Sequence, residues 1–220
     1  MAVTVCSIAE AENKMGRFLV AFGDDTTVAV STAQIADFGL YAGRELTDEE
    51  HSRLLKDLNL SAAKAGAVRM LGNRSLSAGE IKRKIMSKGG SEETARETVD
   101  WLEETGLVND EQYAQSIASH YYSKGYGPAR VRDELYRRGI PREFWDAVVD
   151  MSDETDLEAS ADGFLRKKLG GSSDPGDIRR AAAALVRKGF SYEQANSAVK
   201  RYQINEHQIS YDEHDKGYYE

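Results

Sequence analysis

Apolar positions along this chain keep two different rhythms. Over the first forty residues they gather in short stretches, "VTVCSI", "RFLVAF" and "TTVAVS", rich in β-branched and aromatic side chains and punctuated by "ENKMG" and "GDD". Such stretches between turn residues predict a three-stranded antiparallel meander. "STAQIADFGL" then predicts a short helix ended at Gly39. "TDEEHSRLLKDL" predicts another, opened by the capping-box pair Thr47 and Glu50 and running to about Leu58. Residues 1–60 thus read as a small α+β unit.

From residue 61 the apolar spacing is helical throughout. Ser77 with Glu80 and Ser191 with Gln194 are capping boxes, and Pro128 and Pro175 stand where a first helical turn tolerates proline. One phrase occurs three times: "SKGGSEETARETV" at 87–99, "RRGIPREFWDAVV" at 137–149 and "RKGFSYEQANSAV" at 187–199. Gly89, Gly139 and Gly189 lie 50 residues apart, as do Glu93, Glu143 and Glu193, and Val99, Val149 and Val199. Each glycine follows a cation (Lys88, Arg138, Lys188), which is a helix C-terminus: positive charge on the negative end of the dipole, then a residue free to turn left-handed. Buried-face positions match on both sides, with Ile81 and Ile85, Val131 and Leu135, Ala181 and Leu185 before the glycine. A further helix leads each phrase, namely "AKAGAVRML", "EQYAQSIASHYY" and "LEASADGFLRKKL". The reading is mainly α: three tandem three-helix repeats stacked on their neighbours, over 61–110, 111–155 and 156–202, with an acidic tail at 203–220 expected to be disordered.

Composition adjusts this picture in one respect. The 220 residues carry a formal net charge of −8. Residues 1–60 hold −5 of it and residues 201–220 hold −3, so the repeated part is neutral, with 22 charges of each sign. A lone Cys6 allows no internal disulfide, and no apolar run approaches the roughly 20 residues of a membrane span. A cytoplasmic protein without membrane association is expected.

"RSLSAGEIKRKIMSKGGSEETARETVDWLEETGLVNDEQYA" followed by "SKGYGPARVRDELYRRGI" resembles the RecX family, bacterial regulators of the RecA recombinase. The resemblance covers residues 61–202 and rests on the linked order Leu76-Ser77, Glu80-Ile81, Leu102, Gly106-Leu107-Val108, Asp110-Glu111, Tyr113-Ala114, Lys124-Gly125, Leu135 and Gly139-Ile140. It implies three tandem three-helix repeats in an elongated curved array. It also implies binding in the groove of the RecA–DNA filament, damping of ATPase and strand exchange, and roles in recombination, DNA repair and the SOS response. The first helix of the third repeat matches poorly, and the tail "QINEHQISYDEHDKGYYE" lies outside the pattern.

Charge is sorted by helix. The middle helices are basic: Lys82, Arg83, Lys84 and Lys88; Arg130, Arg132, Arg137 and Arg138; Arg179, Arg180, Arg187 and Lys188. The third helix of the first repeat is acidic, with Glu92, Glu93, Glu97, Asp100, Glu103 and Glu104. A basic stripe would suit phosphates or an acidic protein groove; solvated helix faces with dipole-serving cations would look the same. Tyr122 and Tyr126 beside Arg130 and Arg132 are the expected surface aromatics, whereas the spacing of Tyr121 from Tyr113 and Ile117 places it in the core. Scattered histidines, the absence of a Walker loop and of GxGxxG, and a polar setting for His207, Asp212 and His214 give catalysis, a metal or a cofactor no support. The expected partners are the RecA filament and single- or double-stranded DNA, with the chain itself a monomer. The competing reading is a helical DNA-binding transcriptional regulator.

Overall fold

The computed structural model describes residues 2–12, 16–150 and 153–215, with side chains as far as Asn205. The chain forms two compact units: Met1–Arg74 with Ile81–Leu107, and Ser75–Glu80 with Val108–Glu220.

In the first unit the expected strands are β1 (Val3–Glu10), β2 (Arg17–Phe22) and β3 (Thr27–Ser31). A two-residue β4 (Glu45–Leu46) adds to the free edge of β1 through the pairs Val3–Leu46 and Thr4–Glu45. The antiparallel order is β3-β2-β1-β4, a meander with one strand more than the sequence indicated. The β2–β3 turn holds Asp25 at φ +64, while Asp24 accepts from the amide (3.0 Å) and hydroxyl (2.6 Å) of Thr26. Short polar side chains suit such a turn because they tolerate left-handed backbone and bond the chain locally. The inward face of the sheet, Val5, Val20, Phe22 and Val30, meets Leu40, Leu46 and Leu54.

The short helix α1 (Thr32–Asp37) opens with the Ser31–Gln34 capping box. The next helix departs from expectation. α2 runs unbroken over 24 residues, Asp48–Leu71, so the boundary placed at residue 60 falls in its middle. Thr47 and Glu50 start it as predicted, but no proline or glycine pair stops it before Gly72, and a single Gly66 is tolerated. One helix therefore serves both parts of the unit: Leu54 joins the core under the sheet, and further along, where Ala67 is buried, α2 packs on the first repeat, whose Ile81, Ile85, Ala95 and Leu102 are buried too. Those residues come from α3 (Ala78–Ser87) and α4 (Glu92–Glu104).

The second unit holds repeats two and three. α5 (Asp110–Ser123) and α6 (Pro128–Arg138) are followed by a 3-10 turn over Arg142–Phe144 and the five-residue α7 (Trp145–Val149). The helical stretch starts at Arg142, in register with Glu92 and Tyr192 of its counterparts, and is shorter because it ends at Val149. Val131, Leu135, Ile140, Val148 and Val149 close on Ala114, Ile117 and Ala118. α8 (Glu154–Leu169), α9 (Pro175–Arg187) and α10 (Tyr192–Asp215) repeat the plan, with Ala161, Leu165, Leu185, Phe190 and Tyr202 in the core. α10 continues through residue 202, where the tail was expected to begin; residues 216–220 lie outside the described residues.

All three repeat glycines have positive φ: +88 at Gly89, +73 at Gly139 and +95 at Gly189. Two of these turns do more than reverse the chain. Against the Gly139 turn lies the N-terminus of α3: Ser77 Oγ donates to the Arg138 carbonyl at 2.5 Å, and a Cβ on Gly79 would stand 2.6 Å from the Gly139 carbonyl oxygen. Against the Gly189 turn lies the N-terminus of α6. There Gly127 N donates to the Lys188 carbonyl (2.9 Å) and Ala129 N to the Gly189 carbonyl (3.0 Å), and a Cβ on Gly127 would stand 2.4 Å from Gly189. These amides are first-turn donors without a helical partner, and the carbonyls of the turn satisfy them. Each joint thus links the start of the middle helix of one repeat to the turn of the next.

Candidate functional site

The three middle helices expose a different set of groups from the one their composition suggests. On α6, Arg138 and Arg137 both turn back onto Glu134, which is only 2% exposed. Arg138 Nε donates to Oε1 at 2.7 Å and Arg137 Nη2 to Oε2 at 2.5 Å. Arg138 also reaches the Tyr113 hydroxyl and lies 3.9 Å from Glu80. Burial pushes the Glu134 carboxyl up, but the two guanidinium hydrogen bonds outweigh it and hold it below the usual carboxylate range. Arg138 is therefore a structural residue, and Arg137 is half engaged in the same task.

Other expected contacts are also committed within the molecule. Tyr122, expected at the surface, is half-buried, and its hydroxyl donates to the Val149 carbonyl at 2.8 Å. Tyr126 is half-buried between the Tyr121 ring, 5.4 Å away, and the Lys188 ammonium, 4.1 Å above its own ring. Neither tyrosine stands free as the sequence suggested, because both close the α5 end of their repeat. Tyr121 packs against the repeat core, as its spacing required. Arg130 lies over the Tyr121 ring at 5.9 Å, Lys82 pairs with Glu92 at 2.9 Å, and Arg180 pairs with Asp177.

Arg83 and Lys88 on and just beyond α3, Arg132 on α6, and Arg179 and Arg187 on α9 also face solvent, with Lys84 half-exposed. Among the described residues no ion pair holds Lys84, Lys88, Arg132, Arg179 or Arg187. Beside them stands an apolar set that sequence reasoning missed. Met86, Tyr136 and Val186 keep the fifty-residue step and are 44%, 71% and 43% exposed. Each directly follows a buried anchor (Ile85, Leu135, Leu185) on the wrong side of its helix for the core, which is the signal that could have found them.

No group of three or more His, Cys, Asp or Glu side chains among the described residues could hold a metal ion; His207, Asp212 and His214 lie beyond the described side chains. No helix among the described residues is long and apolar enough to cross a membrane.

The architecture defines a tandem helical-repeat protein with a small β-containing unit at its N-terminus. Residues 109–149 match the family model for "RecX, second three-helix domain". The chain is 32% identical over 136 residues to the regulatory protein RecX of Stenotrophomonas maltophilia, covering 83% of that protein and 61% of this one. It is 27% identical over 218 residues to RecX of Streptococcus gordonii, covering 96% of this chain and 84% of that one. Among solved structures, a crystal structure of regulatory protein RecX shares the fold with a TM-score of 0.69 over 89% of this chain and 98% of its own, at 18% identity. The chain belongs to the RecX family of regulatory proteins.

Proposed function

We propose that this protein binds the RecA–DNA filament in its groove and restrains recombinase ATP hydrolysis and strand exchange, acting in recombination, DNA repair and the SOS response. One observation carries the reading beyond family membership: the middle helices each present an exposed apolar side chain, and on α6 and α9 an arginine follows it, Tyr136-Arg137 and Val186-Arg187. A filament is a lattice of identical subunits, so a chain that repeats one surface can make several weak contacts, the later ones effectively intramolecular. Arg132, Arg179 and Arg187 supply the charge for an acidic protein groove or for phosphates.

The DNA-binding regulator is less well supported. It would need the third helices of the repeats to enter a groove, yet α4 exposes Glu93, Glu97, Asp100, Glu103 and Glu104, and α7 has only five residues. The test is to mix the protein with RecA on single-stranded DNA and follow ATP hydrolysis and co-sedimentation. Inhibition with co-sedimentation is expected. Sequence-specific duplex binding without any effect on RecA would replace this reading with the regulator.

A further inference from the structure

Both internal joints have the same two halves, and the chain ends with one half of each kind left open. The open socket belongs to the first repeat. Gly89 shares the Lys-Gly-x-Ser sequence of Gly189, but a Cβ there would meet nothing within 4 Å, whereas at Gly189 it would stand 2.4 Å from Arg130 N. Instead of a docked helix, a cleft of about 440 Å³ lies against the turn, bordered by Ala62, Gly66, Arg69, Lys88, Gly89 and Ser91. Ser91 and Thr94, at its edge, stand one hundred positions before Ser191 and Gln194, which line the equivalent joint of the third repeat.

The open plug belongs to the third repeat. The N-terminus of α9, Asp174-Pro175-Gly176, begins one turn ahead of the place the fifty-residue step gives it, so Ile178 stands where Ala78 and Pro128 open α3 and α6. A Cβ on Gly176 would meet only Asp174 and Arg180 of its own helix. Next to it runs an apolar groove of about 540 Å³ that includes Pro175, Ile178, Ala182 and Val199. Ile178, Ala182 and Val199 stand fifty positions after Pro128, Arg132 and Val149, which in the second repeat face Gly189 and Ser191 of the third.

We infer that the free plug of one molecule docks into the free socket of a second copy of this chain, forming a head-to-tail joint of the kind that already links its repeats. The occupant is a second copy because the two open surfaces are the counterparts of the two that already pack on each other at the joint between the second and third repeats. The contact is heterologous, with different surfaces on the two copies, so association does not stop at a dimer unless the rotation closes a ring. The association is concentration-dependent, and the monomer is its dilute state.

The experiment uses the full chain and two variants that block one half each. Ala62→Trp fills the socket, and Gly176→Trp covers the plug; both sites are open to solvent or bounded by flexible side chains. Circular dichroism first establishes wild-type helicity in both. In sedimentation velocity the wild type should gain mass steadily with concentration, and each variant alone should stay monomeric. An equimolar mixture should form a one-to-one dimer and nothing larger, since it holds one competent plug for one competent socket. A wild type that stays monomeric up to the solubility limit overturns the inference. So does a variant that associates with itself as well as the wild type does, or a mixture that yields no dimer.

Discussion

Arg138 binds Glu134 one helical turn away, its Nε 2.7 Å from a carboxylate oxygen that water scarcely reaches. A surface cation by composition is in this way the counter-charge of the second repeat. Removing one partner of a buried pair strands the other. Arg138→Ala should therefore cost about 3 kcal/mol in urea unfolding, the low end for a broken buried pair, because Arg137 still reaches Glu134. Arg137→Ala should cost clearly less, its side chain being 70% exposed. Equal losses at the two positions would show that Glu134 does not depend on Arg138.

The same carboxylate fixes a pH response. Glu134 is held below its ordinary value, so its contribution is present above the unfolded carboxylate range and is lost as pH falls through the lowered native value. Asp110 has the opposite sign. Burial is the chief cause of its raised value, the Ala78 amide opposes the rise, and Glu80 adds to it; Oδ1 accepts from Ala78 N at 3.0 Å and Oδ2 has no partner. Between the unfolded value and the raised native one the folded form binds the proton more tightly than the unfolded form, so Asp110 costs stability as pH rises past the unfolded value. Asp110→Asn should remove that cost, raising the thermal midpoint at pH 7 more than at pH 4. A midpoint change that is the same at both values would show that ionisation of Asp110 is not what burial opposes.

The joints predict opposite outcomes for one substitution at two glycines. Gly127→Ala places a methyl group 2.4 Å from the Gly189 backbone at an ordinary negative φ, so overpacking alone should cost about 1–3 kcal/mol. Gly163→Ala lies within α8 with nothing inside 4 Å and should stabilise by roughly 0.5–1 kcal/mol. Thermal unfolding of the two variants decides, and a neutral Gly127→Ala would remove the close joint from the account.

A chain beginning at residue 61 cuts α2 in its middle and discards the Thr47–Glu50 cap. Its first repeat should lose amide protection relative to the full chain, while the third repeat keeps it. Hydrogen exchange that is unchanged over α3 and α4 would mean that the first repeat needs nothing before residue 61.

Much of this architecture was legible because its signals are local. The capping pairs at Ser77 and Ser191 form as the sequence implied, Ser77 Oγ accepting from Glu80 N at 3.0 Å and Ser191 Oγ from Gln194 N at 3.0 Å. The glycine turns followed from one residue type after a cation. What stayed hidden depends on tertiary partners. Glu134 reads as a solvated helix charge, since its equivalents fifty residues away are Lys84 and Ala184, and nothing local reveals its burial. Tyr122 looked like a surface aromatic because Val149, whose carbonyl it bonds, is 27 residues further on. The continuity of α2 was missed for a different reason: the sheet and the first repeat bury different faces of one helix, so its apolar spacing changes midway without a break. The basic stripe mixed two populations that share a residue type, cations spent on internal carboxylates and rings, and cations left to solvent.

That division gives the central claim its sharpest test. Arg132→Glu, Arg179→Glu and Arg187→Glu combined with Tyr136→Ala change only side chains exposed on α6 and α9, and leave Glu134 with both its arginines. The measurement is inhibition of RecA ATP hydrolysis on single-stranded DNA, titrated with wild type and the fourfold variant at matched helicity and two salt concentrations. The account predicts that the variant needs more than tenfold the concentration for equal inhibition, and that salt weakens the wild type far more than the variant. Superimposable titrations would contradict it and return these helices to the status of solvated faces.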